Sequence, residues 1–184
     1  MTLSPRARRW LHVPFTCAFA AALMACGDGQ SSGAQPAGES LESAVARLEA
    51  SGELPVLDRT DSLAGIDANT NGVRDDIERH IEKKYTEPAQ RKAAMRKAMV
   101  FQEMLLVDKQ DEAALEAVSY RGTLAIVCSK SAFPGQQGVI EKSAMSRELE
   151  SMTTNTKARL LAYLAYNKAR SGSVSTMPRE PNCD

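Results

Sequence analysis

The chain has 184 residues, 23 basic and 23 acidic, with 43% hydrophobic and only 5% aromatic residues. That balance excludes the basic footprint of a nucleic-acid binder, and no nucleic-acid partner is expected. The length left after the first forty residues suits one small domain with a real core.

Met1 to Ala25 reads as an export signal: Arg6, Arg8 and Arg9 form a positive start without acids, and Val13 to Met24 is an apolar run too short to span a bilayer comfortably. Leu23-Met24-Ala25-Cys26 resembles the lipobox of bacterial lipoproteins. The resemblance implies cleavage before Cys26, lipid on its thiol and a membrane-anchored protein of the bacterial cell envelope, facing the periplasm or on the outer membrane. An ordinary secretory signal cut near Ala25 is the alternative. Without the three arginines the basic count falls to 20 against 23 acidic residues, a net of −3. Residues 26–39 lack large apolar side chains and read as a flexible tether. The folded domain is expected over 40–184.

With Cys17 removed and Cys26 lipidated, Cys128 and Cys183 remain as an even pair. An exported compartment permits a disulfide between them. The rival is a buried Cys128 with Cys183 free in the tail.

Ser40 can cap a first helix over Leu41–Ala50, with Leu41, Val45 and Leu48 on one face and Gly52 as its stop. Leu54-Pro55-Val56-Leu57 reads as an extended strap, and Leu63 and Ile66 are expected to pack beneath the polar loop that begins at Asp67. From Asp67 to Glu78 the chain reads D-A-N-T-N-G-V-R-D-D-I-E. Oxygen-bearing side chains fall at positions 1, 3, 5, 9 and 12 of a twelve-residue loop: Asp67, Asn69, Asn71, Asp75 and Glu78. Val73 stands at position 7, which offers its backbone carbonyl, and Gly72 at position 6, where the chain turns sharply.

This stretch resembles the EF-hand loop, and more narrowly the loops of exported bacterial proteins that read D-x-N/D-x-N-G-x-R-D-D before a helix. The resemblance implies Ca2+ as the cofactor. Asp67, Asn69 and Asn71 would be side-chain ligands, Val73 a carbonyl ligand, Asp75 a direct or water-bridged ligand and Glu78 the bidentate carboxylate. Two features depart from the family pattern: Arg74 replaces the usual apolar residue at position 8, and Gly52, Pro55 and Gly65 interrupt any incoming helix. Arg74 is expected to offset part of the ligand charge, which keeps affinity modest. The alternative is a polar turn whose Asp75 and Asp76 complement a helix N-terminus.

The outgoing helix should run from about Arg74 to Tyr85, with Ile77, Ile81 and Tyr85 inward. His80, four residues after Asp76, could pair with it. A helix from Pro88 to about Val107 carries a wide stripe that includes Ala94, Met95, Ala98, Met99, Phe101, Leu105 and Leu106. Asp111 can cap a further helix to about Ser131, with Ala113, Ala117, Tyr120, Leu124 and Val127 sharing a face and Cys128 alongside. Phe133-Pro134-Gly135 breaks it. A last helical stretch starts near Val139, can be interrupted at Thr153-Thr154-Asn155, and resumes with Leu160, Leu161, Leu164 and Ala165 to end before Gly172. The expected fold is an all-α small helical bundle with one calcium loop leading into a helix.

The expected role is a structural or protein-interaction module, with an unidentified envelope protein as partner. A calcium-dependent envelope hydrolase is a second reading, although the chain has no G-x-S-x-G or H-E-x-x-H and keeps one histidine after cleavage; Glu103, Glu112 and Glu116 are its acid/base candidates. A third is an inhibitor or chaperone of an exported enzyme that uses the face bearing Met95, Met99 and Met104.

Overall fold

The computed structural model describes residues 38–177 and 181–183; the signal segment, Cys26 and nearly all of the tether lie outside the described residues. The described residues from Glu39 onward form one compact unit. Among the described residues six helices occur in order: α1 Leu41–Ala50, α2 Asp75–Lys84, α3 Pro88–Leu106, α4 Glu112–Ala132, α5 Gly135–Thr153 and α6 Lys157–Ala169. The described residues contain no strand, so the fold is all-α.

Local chemistry sets most of these boundaries. Ser40, Asp111 and Thr156 each accept a backbone N–H of the first turn of α1, α4 and α6, and Pro88 opens α3 where its missing N–H costs nothing. Thr154-Asn155 separates α5 from α6.

The main core joins Ile77, Ile81 and Tyr85 of α2 and its flank to Ala94, Ala98 and Phe101 of α3 and to Met145, Leu149 and Met152 of α5. A smaller core joins Leu115 and Val118 of α4 to Tyr166 of α6. Met95 and Met104 pack against this interior, so two of the three methionines serve the core, and Met99 is exposed.

Three apolar groups that stand out in the sequence are not the buried faces of their helices. On α4 the inward residues are Leu115, Val118, Gly122, Ala125 and Cys128, while Ala113, Ala117 and Tyr120 face water and Leu124 and Val127 are half-buried. Gly122 lies against α3 on this face: a Cβ there would stand at ordinary contact distance, 3.5 Å from Val100 and 3.6 Å from Met104. On α6 the leucines point outward, and Arg159 and Tyr166 point inward. Helix α1 buries no residue, and Leu41 is exposed. Ile66 is likewise exposed, so of the two residues expected beneath the loop only Leu63 is partly covered.

Cys128 and Cys183 form a disulfide across 55 residues, tying the C-terminal tail to α4. Arg96 of α3 donates to the Cys183 carbonyl beside it at 2.9 Å.

Candidate metal loop and its buried support

The segment from Asp67 to Glu78 folds as a tight loop running into α2. Gly72 has φ +82°, and a Cβ there would meet Met99 Cγ at 3.3 Å, so both backbone and space favour glycine. Thr70 also takes a positive φ, +54°.

Asp67 wraps the turn: its Oδ1 accepts Asn71 N–H at 3.1 Å and its Oδ2 accepts Gly72 N–H at 2.8 Å. Asn69 Oδ1 also accepts Asn71 N–H at 3.1 Å, and Asn71 Oδ1 accepts Val73 N–H at 2.8 Å. Asp75 Oδ1 accepts Ala68 N–H at 3.0 Å. Across the loop, Glu78 receives both amides, Asn69 Nδ2 on Oε2 at 3.0 Å and Asn71 Nδ2 on Oε1 at 2.7 Å. Positions 3, 5 and 12 of the loop therefore meet, while positions 1 and 9 hold its backbone.

As a donor set, three carboxylates, two amide oxygens and a backbone carbonyl suit a hard divalent cation. Each Asn oxygen that accepts one backbone N–H keeps a second lone pair. Among the described residues, however, no three His, Cys, Asp or Glu side chains gather closely enough to form a metal cluster by themselves. The amides of Asn69 and Asn71 stand on the Glu78 carboxylate, so the charge that would attract a cation is held by neutral donors.

What holds this loop in place was not visible as a motif. Arg74 does not offset the ligand charge; its side chain is fully buried and forms a two-pronged pair with Asp76, Nε to Oδ1 at 2.6 Å and Nη2 to Oδ2 at 2.7 Å. Its remaining donors reach the Met152 carbonyl and Asn155 Oδ1 at 3.2 and 3.3 Å. A planar fork matched to a carboxylate is the arrangement in which a buried arginine is best satisfied. Gly65 makes room for it: at φ +67°, a Cβ there would sit 2.2 Å from Arg74 Cδ.

A second buried arginine completes the layer. Arg159 of α6 donates Nε to the Ser62 carbonyl at 3.0 Å and Nη1 to the Asp58 carbonyl and to Asn155 Oδ1. Its Nη2 lies 3.4 Å from Asp58 Oδ2 as an ion pair without a shared hydrogen bond. Asp58 N–H donates to Asp76 Oδ2 at 2.7 Å, and Asn155 Nδ2 donates to the Asp58 carbonyl at 2.9 Å. Further along, Gln102 Nε2 donates to the Leu63 and Ala64 carbonyls at 3.1 and 2.9 Å. An irregular strap that passes under helices has backbone groups with no ladder to join, and these side chains satisfy them.

Burial pushes the Asp76 carboxyl up, but Arg74, the Asp58 N–H and the Ile77 N–H together hold it below the usual range. Asp58 behaves likewise, with Thr60 and the two arginines outweighing its burial. The pair expected between His80 and Asp76 does not form, because Arg74 already occupies Asp76. His80 Nε2 instead lies 3.1 Å from Glu148 of α5, which also receives Lys84 at 2.6 and 2.7 Å. Those hydrogen bonds, with His80's the largest influence, bring the Glu148 carboxyl down to about 2 against its burial.

Of the acid/base candidates, Glu103 is paired with Arg121 at 2.7 Å, and Glu112 and Glu116 face solvent on α4. Asp58, Gln102, Asn155 and Arg159 were missed from sequence. One signal existed for Arg159: it lies on the same side of α6 as Tyr163 and Tyr166, opposite the leucines.

Comparison of the chain with protein-family models, curated proteins and solved structures finds no match.

Proposed function

We propose that this chain is a lipid-anchored protein of the bacterial cell envelope whose helical domain binds one Ca2+ in the loop Asp67–Glu78 and acts as a structural or protein-interaction module. The observation that carries the calcium reading is the in-phase donor set, with Asn69 and Asn71 meeting Glu78 across a turn closed by Asp67 and Gly72. Asp67, Asn69, Asn71, Asp75 and Glu78 would supply side-chain oxygens and Val73 its carbonyl. Cys26, through its lipid, would hold the domain at the membrane.

Two features bear on affinity. Arg74 is neutralised by Asp76, so the loop keeps its formal charge of −3 from Asp67, Asp75 and Glu78. The Arg74 and Arg159 layer also stands in for the incoming helix of a paired EF-hand, fixing the limb that enters the loop. A dissociation constant on the order of 0.1 mM is expected, at the tighter end for extracellular modules.

The test is thermal unfolding by circular dichroism, with about 10 mM calcium or a chelator. Binding only to the folded state should add about 2–3 kcal/mol and raise the midpoint by about 4–10 °C. The double variant Asp67→Ala, Glu78→Ala should show no calcium-dependent shift. A wild-type midpoint indifferent to calcium overturns the metal reading. The anchor is tested separately, by the intact mass of the membrane-extracted protein and by loss of membrane association in Cys26→Ser.

A further inference from the structure

From Ser151 to Arg179 the chain contains no acidic residue, although it has 23 in all. Helix α6 lies inside this stretch and is built in reverse. At 100° per residue, Leu160, Leu161 and Leu164 share one face with Lys157 and Lys168, the lysines at the two ends and the leucines between. That face is turned to water: the leucines are 43%, 55% and 51% exposed. The opposite face is committed to the interior through Arg159 and Tyr166. Two carboxylates from other helices, Glu150 and Glu103, act on Tyr163 and Tyr166 on that inner side. After α6, Val174 and Met177 continue the exposed apolar character without adding an acid.

We infer that the outward face of α6 docks the domain onto an anionic lipid surface, leucines at the acyl boundary and lysines among the headgroups. The inference goes beyond the calcium reading, and it rests on the envelope reading only for the presence of a membrane nearby.

The chemistry favours this partner. With 13 residues α6 is too short to cross a bilayer, and no helix among the described residues is long and apolar enough to do so. Its exposed face alone, leucines flanked by lysines, can lie in the plane of the interface, where lysine stems cover apolar surface while their ammonium groups reach phosphate. A second copy of the chain fits poorly. Pairing α6 with itself in a two-fold contact would bring lysines together with no carboxylate to meet them, and the exposed leucines offer a few hundred Å² at most against the roughly 800 Å² per partner of a stable interface.

The experiment uses the chain from Gly27 onward without lipid, since residues 39–184 carry their own cores and disulfide. Sedimentation is measured with vesicles of phosphatidylcholine alone and of phosphatidylcholine containing phosphatidylglycerol. Binding is expected to the anionic vesicles at about 0.1 M salt and should be largely lost at about 1 M, where the screening length falls to about 3 Å. Each lysine near such a surface contributes about fivefold, so the double variant Lys157→Glu, Lys168→Glu should weaken partitioning about 25-fold or more. The triple variant Leu160→Ser, Leu161→Ser, Leu164→Ser should lose binding with its melting point essentially unchanged. Absence of binding to anionic vesicles overturns the inference, as does binding indifferent to both variants. So does concentration-dependent self-association that the triple variant abolishes. Because this assay contains no lipidated cysteine, failure of the anchor reading appears in the Cys26 experiment and not here.

Discussion

Helix α2 turns Ile77 and Ile81 inward and most of its charges outward, whereas α6 turns Arg159 inward and three leucines outward. The difference lies in what each helix faces. Opposite α2 stand Ala94, Ala98, Leu149 and Met145, an apolar surface that rewards apolar side chains. Opposite Arg159, at the start of the inner face of α6, stands the irregular strap 58–64, whose carbonyls need donors, while Tyr166 further along meets Leu115 and Val118. An unsatisfied buried carbonyl costs about 1–3 kcal/mol, comparable to the gain from burying a leucine, and one arginine satisfies two of them while meeting Asp58. The demand of the neighbour, not the periodicity of the helix, decides the face.

The strongest way to break this comparison is to remove each helix's inward anchor. Arg159→Leu should cost about 3–5 kcal/mol, because the Asp58 carboxylate loses its buried ion partner, the Ser62 carbonyl its donor and the Asp58 carbonyl one of its two donors, read as a lower urea midpoint. Ile81→Ala should cost about 2–5 kcal/mol by leaving a cavity among α2, α3 and α5. If Arg159→Leu proves neutral, the strap is satisfied some other way and the contrast between the helices collapses.

The tail beyond α6 gives a smaller effect. Replacing Cys183 with Ala releases that tail from α4 and should lower stability by about 2–4 kcal/mol, measured by unfolding under oxidising conditions. The same loss should appear in wild type on reduction.

The pair of His80 and Lys84 with Glu148 joins α2 to α5, and its contribution depends on pH. The Glu148 carboxyl is held near 2 in the folded chain, below its ordinary value of 4.5. A depressed carboxyl stabilises above its unfolded value and loses that contribution as pH falls from about 4.5 toward 2. With 28% of the Glu148 side chain in water, screening brings the effect down to about 1 kcal/mol. Glu148→Gln should flatten that part of the acid limb in a pH series of melting points.

The smallest expected change sharpens the contrast most. Leu164→Ala, on the outward face of α6, should alter stability by about 0.5 kcal/mol or less. A cost near that of Ile81→Ala would mean that the leucine face is packed in solution.

Much of this molecule was legible in the order of residues alone. Caps at Ser40 and Asp111, Pro88 at a helix start and Gly72 at the turn act over four residues or fewer, so those helix starts and the shape of the loop depend on local hydrogen bonding and steric permission, whereas α5 starts at Gly135 and not near Val139. The donor pattern from Asp67 to Glu78 is equally local. The even cysteine pair was legible as chemistry, though its geometry was not.

Only the tertiary structure decided which faces turn inward and what stands beneath the loop. Arg74 reads from sequence as a charge near a metal site, yet Gly65, nine positions earlier, opens the space that lets it turn to Asp76. Asp58, Gln102, Asn155 and Arg159 are separated by up to 101 residues, and they meet because one irregular strap needs its carbonyls and N–H groups satisfied. Local pattern reports what each segment can offer to a neighbour. Which offer is taken up depends on polar groups contributed by other segments, and that is settled only when the chain has folded.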